Sequence, residues 1–182
     1  MSVNLPAPFP DSYWVIPGRF LAGEYPGSYH LLEARRKLGR LLRGSINAFL
    51  DLTMPDELLP YESILHEEAG KYQVEATYRR MPIHDLSIPT IAQMNAILDE
   101  IDSLLSNGCN LYLHCWGGIG RTGTVVACYL VRCGLDGAAA LQELKRLRSG
   151  VPDAWRPSPE TDEQCQFVLA WGKGEQKDAN EN

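Results

Sequence analysis

Hydrophobic residues recur at two spacings along this chain: every three to four positions in some stretches, and in short alternating or continuous runs in others. Between Tyr29 and Leu42 the apolar positions 31, 32, 38, 41 and 42 are separated by basic residues, which predicts an amphipathic helix. A short helix is expected from Tyr61 to Glu68, closed at Gly70. Thr90 stands as a cap before apolar residues at 91, 94, 97, 98, 101, 104 and 105, and Gly108 ends that helix. Arg121 to Cys133 reads as an apolar helix stopped by Gly134, and Asp136 caps another that runs to about Ser149. Ser158-Pro159 has the look of an N-cap followed by Pro at the first helical position, starting a helix that ends near Trp171. Tyr13–Ile16 and Arg19–Ala22, joined by Pro17-Gly18, predict a hairpin. Ile46–Leu52, Val74–Ile83 and Asn110–His114 predict three further strands. Strands alternate with helices, so the expected class is α/β, with a central, mostly parallel sheet flanked by helices.

The 182 residues suit one domain. Residues 1–12 read as an irregular proline-rich arm, 13–172 as the domain and 173–182 as a polar flexible tail. The chain is 45% hydrophobic and 22% charged, which argues against global disorder. Its net charge of −6 repels a phosphate backbone, so no nucleic-acid partner is expected. The longest strongly apolar run, Val125–Val131, is far short of the roughly 18 residues of a membrane span. The first residues carry neither a basic nor an apolar stretch, and the cysteine usage suits a reducing cytosol, so the expected compartment is the cytoplasm; the expected state is a monomer. Five scattered cysteines, Cys109, Cys115, Cys128, Cys133 and Cys165, show neither a disulfide framework nor zinc-site spacing.

The segment that points to chemistry is Leu113-His-Cys-Trp-Gly-Gly-Ile-Gly-Arg-Thr-Gly123, between an expected buried strand and an expected helix. Glycines let such a loop turn tightly and direct successive backbone N–H groups inward. The helix starting near Arg121 adds the positive end of its dipole. Trp116, Gly117, Gly118, Ile119 and Gly120 would then line a cradle for a tetrahedral anion. Cys115 stands at one end, where inward amides, a helix N-terminus and a guanidinium favour the nucleophilic thiolate. Arg121 stands at the other, with the planar fork that holds two phosphate oxygens. Thr122 is placed to donate a hydrogen bond to the cysteine sulfur.

His114-Cys115-(five residues)-Arg121-Thr122-Gly123 resembles the HC-x5-R-[ST] signature of cysteine-based protein phosphatases, and the chain looks like their dual-specificity subfamily. The Gly-Gly-Ile-Gly-Arg run is similar to that of kinase-associated phosphatases. Phe49–Thr53 and Met81–Pro89 look like further family segments, and Pro17–Pro26 and Ser158–Asp162 resemble bacterial-type members. The resemblance implies a protein tyrosine phosphatase-like fold and phosphomonoester hydrolysis through a cysteinyl-phosphate. Cys115 would be the nucleophile and Arg121 the oxyanion holder. Asp85, in a loop between a strand and a helix, would be the general acid and then the base. No metal or cofactor is implied. The substrate would be a phosphorylated protein, on tyrosine and/or serine and threonine, or a small phosphoester.

Several residues keep two readings. Asp51 competes with Asp85 as the acid, but follows a buried-strand pattern suited to orienting a loop. His114 reads as a structural residue. Trp116 reads equally as a rim contact or a core anchor. Arg35, Arg36, Lys37, Arg40 and Arg43 read as a solvated helix face or as a substrate-docking patch. Cys109, Cys128 or Cys133 could pair with Cys115 on oxidation. The alternatives for function are a non-catalytic phosphate-binding module, a sulfurtransferase, or a phosphatase of a non-protein substrate such as an inositol phosphate. The absence of lysine between Trp116 and Gly120 disfavours the last of these.

Overall fold

The computed structural model describes residues 5–178. In chain order the elements are β1 (Ser12–Ile16), β2 (Phe20–Gly23), α1 (Leu31–Arg43), β3 (Ala48–Asp51), α2 (Glu62–Tyr72), β4 (Thr77–Arg80), α3 (Ile91–Ser106), β5 (Leu111–His114), α4 (Gly120–Arg132), α5 (Gly137–Leu147) and α6 (Asp162–Asp178). Among the described residues the strands form one sheet in the order β1-β2-β5-β3-β4. Only the β1–β2 hairpin is antiparallel; β2–β5, β5–β3 and β3–β4 are parallel.

Side chains of the parallel strands alternate between two cores. Phe20, Ala22, Leu50, Leu111 and Leu113 face the layer that includes α3, α4 and α5. Leu21, Phe49 and Tyr112 face α1 and α2. Met94, Ile97, Leu98 and Ile101 make the buried stripe of α3. At about 1.5–3 kcal/mol each, an upper estimate, that stripe outweighs the roughly 1 kcal/mol of a helix cap. The expected Thr90 cap is present as a reciprocal capping box with Gln93.

The strand ends lie in register: Gly23 and Asp51 each pair with His114, and Arg80 with Asp51. Parallel strands therefore bring four loops to one end of the sheet, where α/β proteins bind ligands.

Four expectations need correction. The short second helix does not close at Gly70. It continues to Tyr72 and turns at Gln73, which adopts a left-handed conformation (φ 56°). The fourth strand is confined to Thr77–Arg80, because the regular pairing ends where β3 does, at Asp51, and beyond it only Met81 and Ile83 donate across, to the Asp51 and Leu52 carbonyls. The last helix does not start at Ser158. The Ser158 hydroxyl donates to the Ile119 carbonyl and the Ser158–Pro159 peptide is cis. Thr161 and Gln164 cap the helix reciprocally instead, so it starts at Asp162. The same helix continues past Trp171 to Asp178, into the expected tail; residues 1–4 and 179–182 lie outside the described residues. Part of the N-terminal arm is docked, with Phe9 buried edge-on against Tyr112.

Candidate active site

The segment 115–119 links the buried end of β5 to the first turn of α4. Cys115 is buried at 3% exposure. Gly118 has φ +70°, and a Cβ there would overlap the backbone of Gly23 and Glu24. The loop is thereby pressed against the end of β2, and the Tyr25 amide fixes it further by donating to the Trp116 carbonyl at 2.7 Å. The first amides of α3 and α5 are capped by Thr90 and Asp136, but α4 opens on Ile119 with no side-chain cap. A helix start leaves amide donors without intrahelical acceptors, and here they sit beside Cys115.

Arg121 is 1% exposed and ties two loops to the start of α4. Its Nη1 donates to Glu57 Oε2 at 2.8 Å and its Nη2 to Glu57 Oε1 at 2.6 Å. Nη1 also donates to the Ile83 carbonyl at 3.1 Å, and Nη2 lies 3.0 Å from Asp85 Oδ1. Glu57 comes from the β3–α2 loop, where the Met54 amide holds it at 2.9 Å. Ile83 and Asp85 come from the β4–α3 loop. Arg121 Nε and Thr122 Oγ1 are buried donors with no hydrogen-bond partner among the described residues. A bound phosphate would meet an arginine oriented in advance, two buried donors and an uncapped helix start.

Residues 28–135, more than half of the chain, match the family described as "Polymorphic toxin system, DSP-PTPase phosphatase". The chain belongs to this phosphatase family. It is 34% identical over 106 residues to an uncharacterised protein of Methanocaldococcus jannaschii, covering 58% of this chain and 67% of that one. It is 32% identical over 127 residues to the mouse protein tyrosine phosphatase domain-containing protein 1, covering 66% of this chain but 17% of that one. It is 27% identical over 129 residues to an Arabidopsis thaliana phosphatidylinositol 3,4,5-trisphosphate 3-phosphatase and protein-tyrosine-phosphatase, covering 70% of this chain and 30% of that one. The chain thus spans less than a third of the mouse and plant relatives. Among solved structures, Tk-PTP in its active form superposes with a TM-score of 0.72 at 25% identity, covering 91% of this chain and 98% of that one. Kinase-associated phosphatase gives 0.67 at 20% identity, covering 94% and 96%. PTPMT1 in complex with PI(5)P gives 0.68 at 16% identity, covering 93% and 99%.

The remaining residues of this phosphatase domain sort by what they touch. Burial works against the charged Arg121, but the Glu57 bonds, then the charges of Cys115, Glu57 and Asp85, hold its pKa above the usual arginine value. Burial likewise works against the Glu57 carboxylate, but Arg121 and the Met54 amide bring its pKa below 4.5. Asp51 is fully buried and accepts from the Thr53 amide and hydroxyl, the Tyr78 hydroxyl and Arg80. Four such partners make it an anchor of the strand ends, whereas Asp85 is half-exposed.

His114 is buried among tyrosines. Its Nδ1 faces the Cys115 carbonyl at 3.2 Å and its Nε2 the Tyr61 hydroxyl at 2.7 Å. These partners assign the neutral tautomer in which Nδ1 donates and Nε2 accepts from Tyr61. Trp116 is 59% exposed, which rules out the core-anchor reading. On α1, Arg35 pairs with Glu67 and Glu68 and Lys37 with Glu24, while Arg43 donates to the neutral Tyr72 hydroxyl, so the docking-patch reading loses the charge of two of its five cations. No disulfide joins any of the five cysteines among the described residues.

Sequence reasoning missed Glu57, which sits in the Pro55–Pro60 loop, and Gln164. Gln164 is fully buried, donates to the Ser87 carbonyl at 3.1 Å and lies against Gly120, joining the Asp85 loop to the start of α4. The available signal for Glu57 was a carboxylate in the loop directly following a parallel strand.

Proposed function

We propose that this domain hydrolyses phosphomonoesters without a metal, through a cysteinyl-phosphate, and that its substrates are proteins phosphorylated on tyrosine and/or serine and threonine. One observation carries the reading. The cysteine and the arginine share a loop at an uncapped helix start, and Asp85 reaches the same arginine from a different loop at 3.0 Å.

In the first step the Cys115 thiolate attacks phosphorus in line. Arg121 and the amides from Trp116 through Gly117, Gly118, Ile119 and Gly120 to Arg121 hold the equatorial oxygens. The substrate takes Arg121 Nη2 from Asp85, and Asp85 gives its proton to the leaving oxygen as the P–O bond breaks. In the second step the Asp85 carboxylate takes a proton from water and the water oxygen attacks phosphorus. The S–P bond breaks, Thr122 donates a hydrogen bond to the departing sulfur, and phosphate leaves. Each proton transfer is typically worth ~10²–10⁴-fold in rate. Positive charge comes from Arg121 and from backbone dipoles aimed at the developing oxyanion.

The names of the plant relative and of PTPMT1's ligand raise a phosphoinositide substrate as the alternative. Supporting protein over phosphoinositide is the state of the nearby cations: Arg121 is held by Glu57 and Asp85, Lys37 by Glu24 and Arg80 by Asp51. The test is phosphate release from an aryl phosphate in the presence of a chelator, wild type beside Cys115→Ser. Activity in the wild type alone supports the proposal. Silence in reduced wild type overturns it in favour of a phosphate-binding module.

A further inference from the structure

Beside Trp116, the residue that follows Cys115, the surface opens into a depression that the hydrolytic mechanism does not use. It is a cleft of about 210 Å³ between the β2–α1 loop and the β3–α2 loop, with Trp116 on its wall. That volume is below the roughly 300–1,000 Å³ of small-molecule sites. It suits one side chain.

The polar groups lining the cleft are already engaged. The Tyr25 hydroxyl donates to the Leu59 carbonyl at 2.7 Å and bridges the two loops. The Ser28 hydroxyl donates to Glu33 at 2.7 Å, and Lys37 is paired with Glu24. What remains for a ligand is aromatic and aliphatic surface: Tyr29 at 80% exposure, Trp116 at 59% and Leu59 at 47%, with Leu58 beside them. An exposed apolar group of this kind, next to a reactive site, marks a recognition surface. Charge around it points the same way. Asp56 lies exposed on the β3–α2 loop, and the cleft's lysine is neutralised. A second phosphate or an acidic neighbour would be repelled, whereas an uncharged or basic chain would not.

We infer that this cleft is a specificity subsite that seats a large apolar side chain of a phosphorylated polypeptide, at a position flanking the phosphoresidue. The inference rests on the phosphatase reading above and names the feature by which a protein substrate is chosen. Trp116 directly follows Cys115, and a peptide advances about 3.3 Å per residue when extended. The seated residue therefore lies within a few positions of the phosphorylated one.

The test uses phosphotyrosyl peptides that differ only at flanking positions, carrying Ala, Leu, Phe or Asp in turn. A para-nitrophenyl phosphate control and phosphatidylcholine vesicles doped with phosphatidylinositol 5-phosphate are run beside them. The enzymes are wild type and the double variant Tyr29→Ser, Leu59→Asn, both positions lying outside the phosphate-binding loop. At one flanking position wild type is expected to favour Leu or Phe over Ala by about tenfold in kcat/KM, and to disfavour Asp. The double variant is expected to lose that preference while hydrolysing the aryl phosphate at the wild-type rate. Equal rates on Ala, Leu and Phe peptides, with the aryl phosphate turned over, overturn the subsite and leave the phosphatase reading standing. Faster turnover of the vesicles than of any peptide overturns it in favour of a lipid substrate. No hydrolysis of anything, aryl phosphate included, removes the phosphatase reading and the subsite with it.

Discussion

Glu57 holds both terminal nitrogens of Arg121, at 2.6 and 2.8 Å, across 64 residues of sequence. The pair fixes the plane of the guanidinium before any phosphate arrives. An arginine free to rotate would present the same charge with a poorer fit, and misplacement by about 1 Å can cost ~10²-fold in rate. Glu57→Ala should lower kcat/KM on an aryl phosphate by about that factor, mostly through kcat. Glu57→Gln, which keeps one oxygen for one nitrogen, should recover part of the loss. Steady-state kinetics beside circular dichroism would check this; an unchanged kcat in a folded Glu57→Ala would refute the positioning role.

Asp85 reaches Arg121 from the rim and remains half-exposed, so its replacement should leave the fold intact. Asp85→Asn is expected to slow hydrolysis of an alkyl phosphate by ~10²–10⁴-fold. Esters with good leaving groups should suffer less, because they depart without a proton. The readout is rate against leaving-group pKa, which should steepen in the variant; parallel lines for the two enzymes would move the acid elsewhere.

Gly118 combines a positive φ with direct contact against Gly23. A left-handed non-glycine residue costs about 1–2 kcal/mol, before any overlap is relieved. At about 2–4 °C per kcal/mol for a chain of this size, Gly118→Ala should lower Tm by several degrees. It should also weaken vanadate binding, measured by titration, as the loop moves away from β2.

His114 gives the fold a pH dependence of definite sign. Burial lowers its pKa below 6.5, while Asp51 and the Cys115 carbonyl pull it upward without prevailing. The folded state therefore holds the neutral ring where the unfolded chain takes up a proton. This contribution is fully present above pH 6.5 and is lost as pH falls from there through the folded value, at up to about 1.4 kcal/mol per pH unit. Glu24, which burial raises above 4.5, titrates with the opposite sign. The informative quantity is thus the difference between wild type and His114→Gln in urea unfolding at pH 7.5 and 5.5. Wild type should lose more stability on acidification than the variant; equal losses would refute the assignment.

The 115–121 segment was legible because its parts are consecutive. Cys115, the glycines and Arg121 meet through local geometry alone, and a strand before them and a helix after them were readable from their apolar spacing. Asp85 was singled out only through resemblance. Glu57 was not, because a carboxylate between two prolines looks like any solvated loop residue until the fold brings Arg121 to it. The start of α6 was misread for a related reason. Ser158 is a good cap by type, but its hydroxyl is drawn to the Ile119 carbonyl by tertiary packing, leaving Thr161 and Gln164 to cap the helix. Gly70 failed as a terminator because a packed helix tolerates one glycine at a cost of about 1 kcal/mol.

The level alignment of Gly23, His114, Asp51 and Arg80 divides the molecule into a floor and what is built on it. Every loop at this end departs from the same plane, so residues added to one of them rise outward without shifting the strands beneath. The parts that select a substrate can accordingly be rebuilt, by drift or by design, while the parts that keep the chain folded stay as they are.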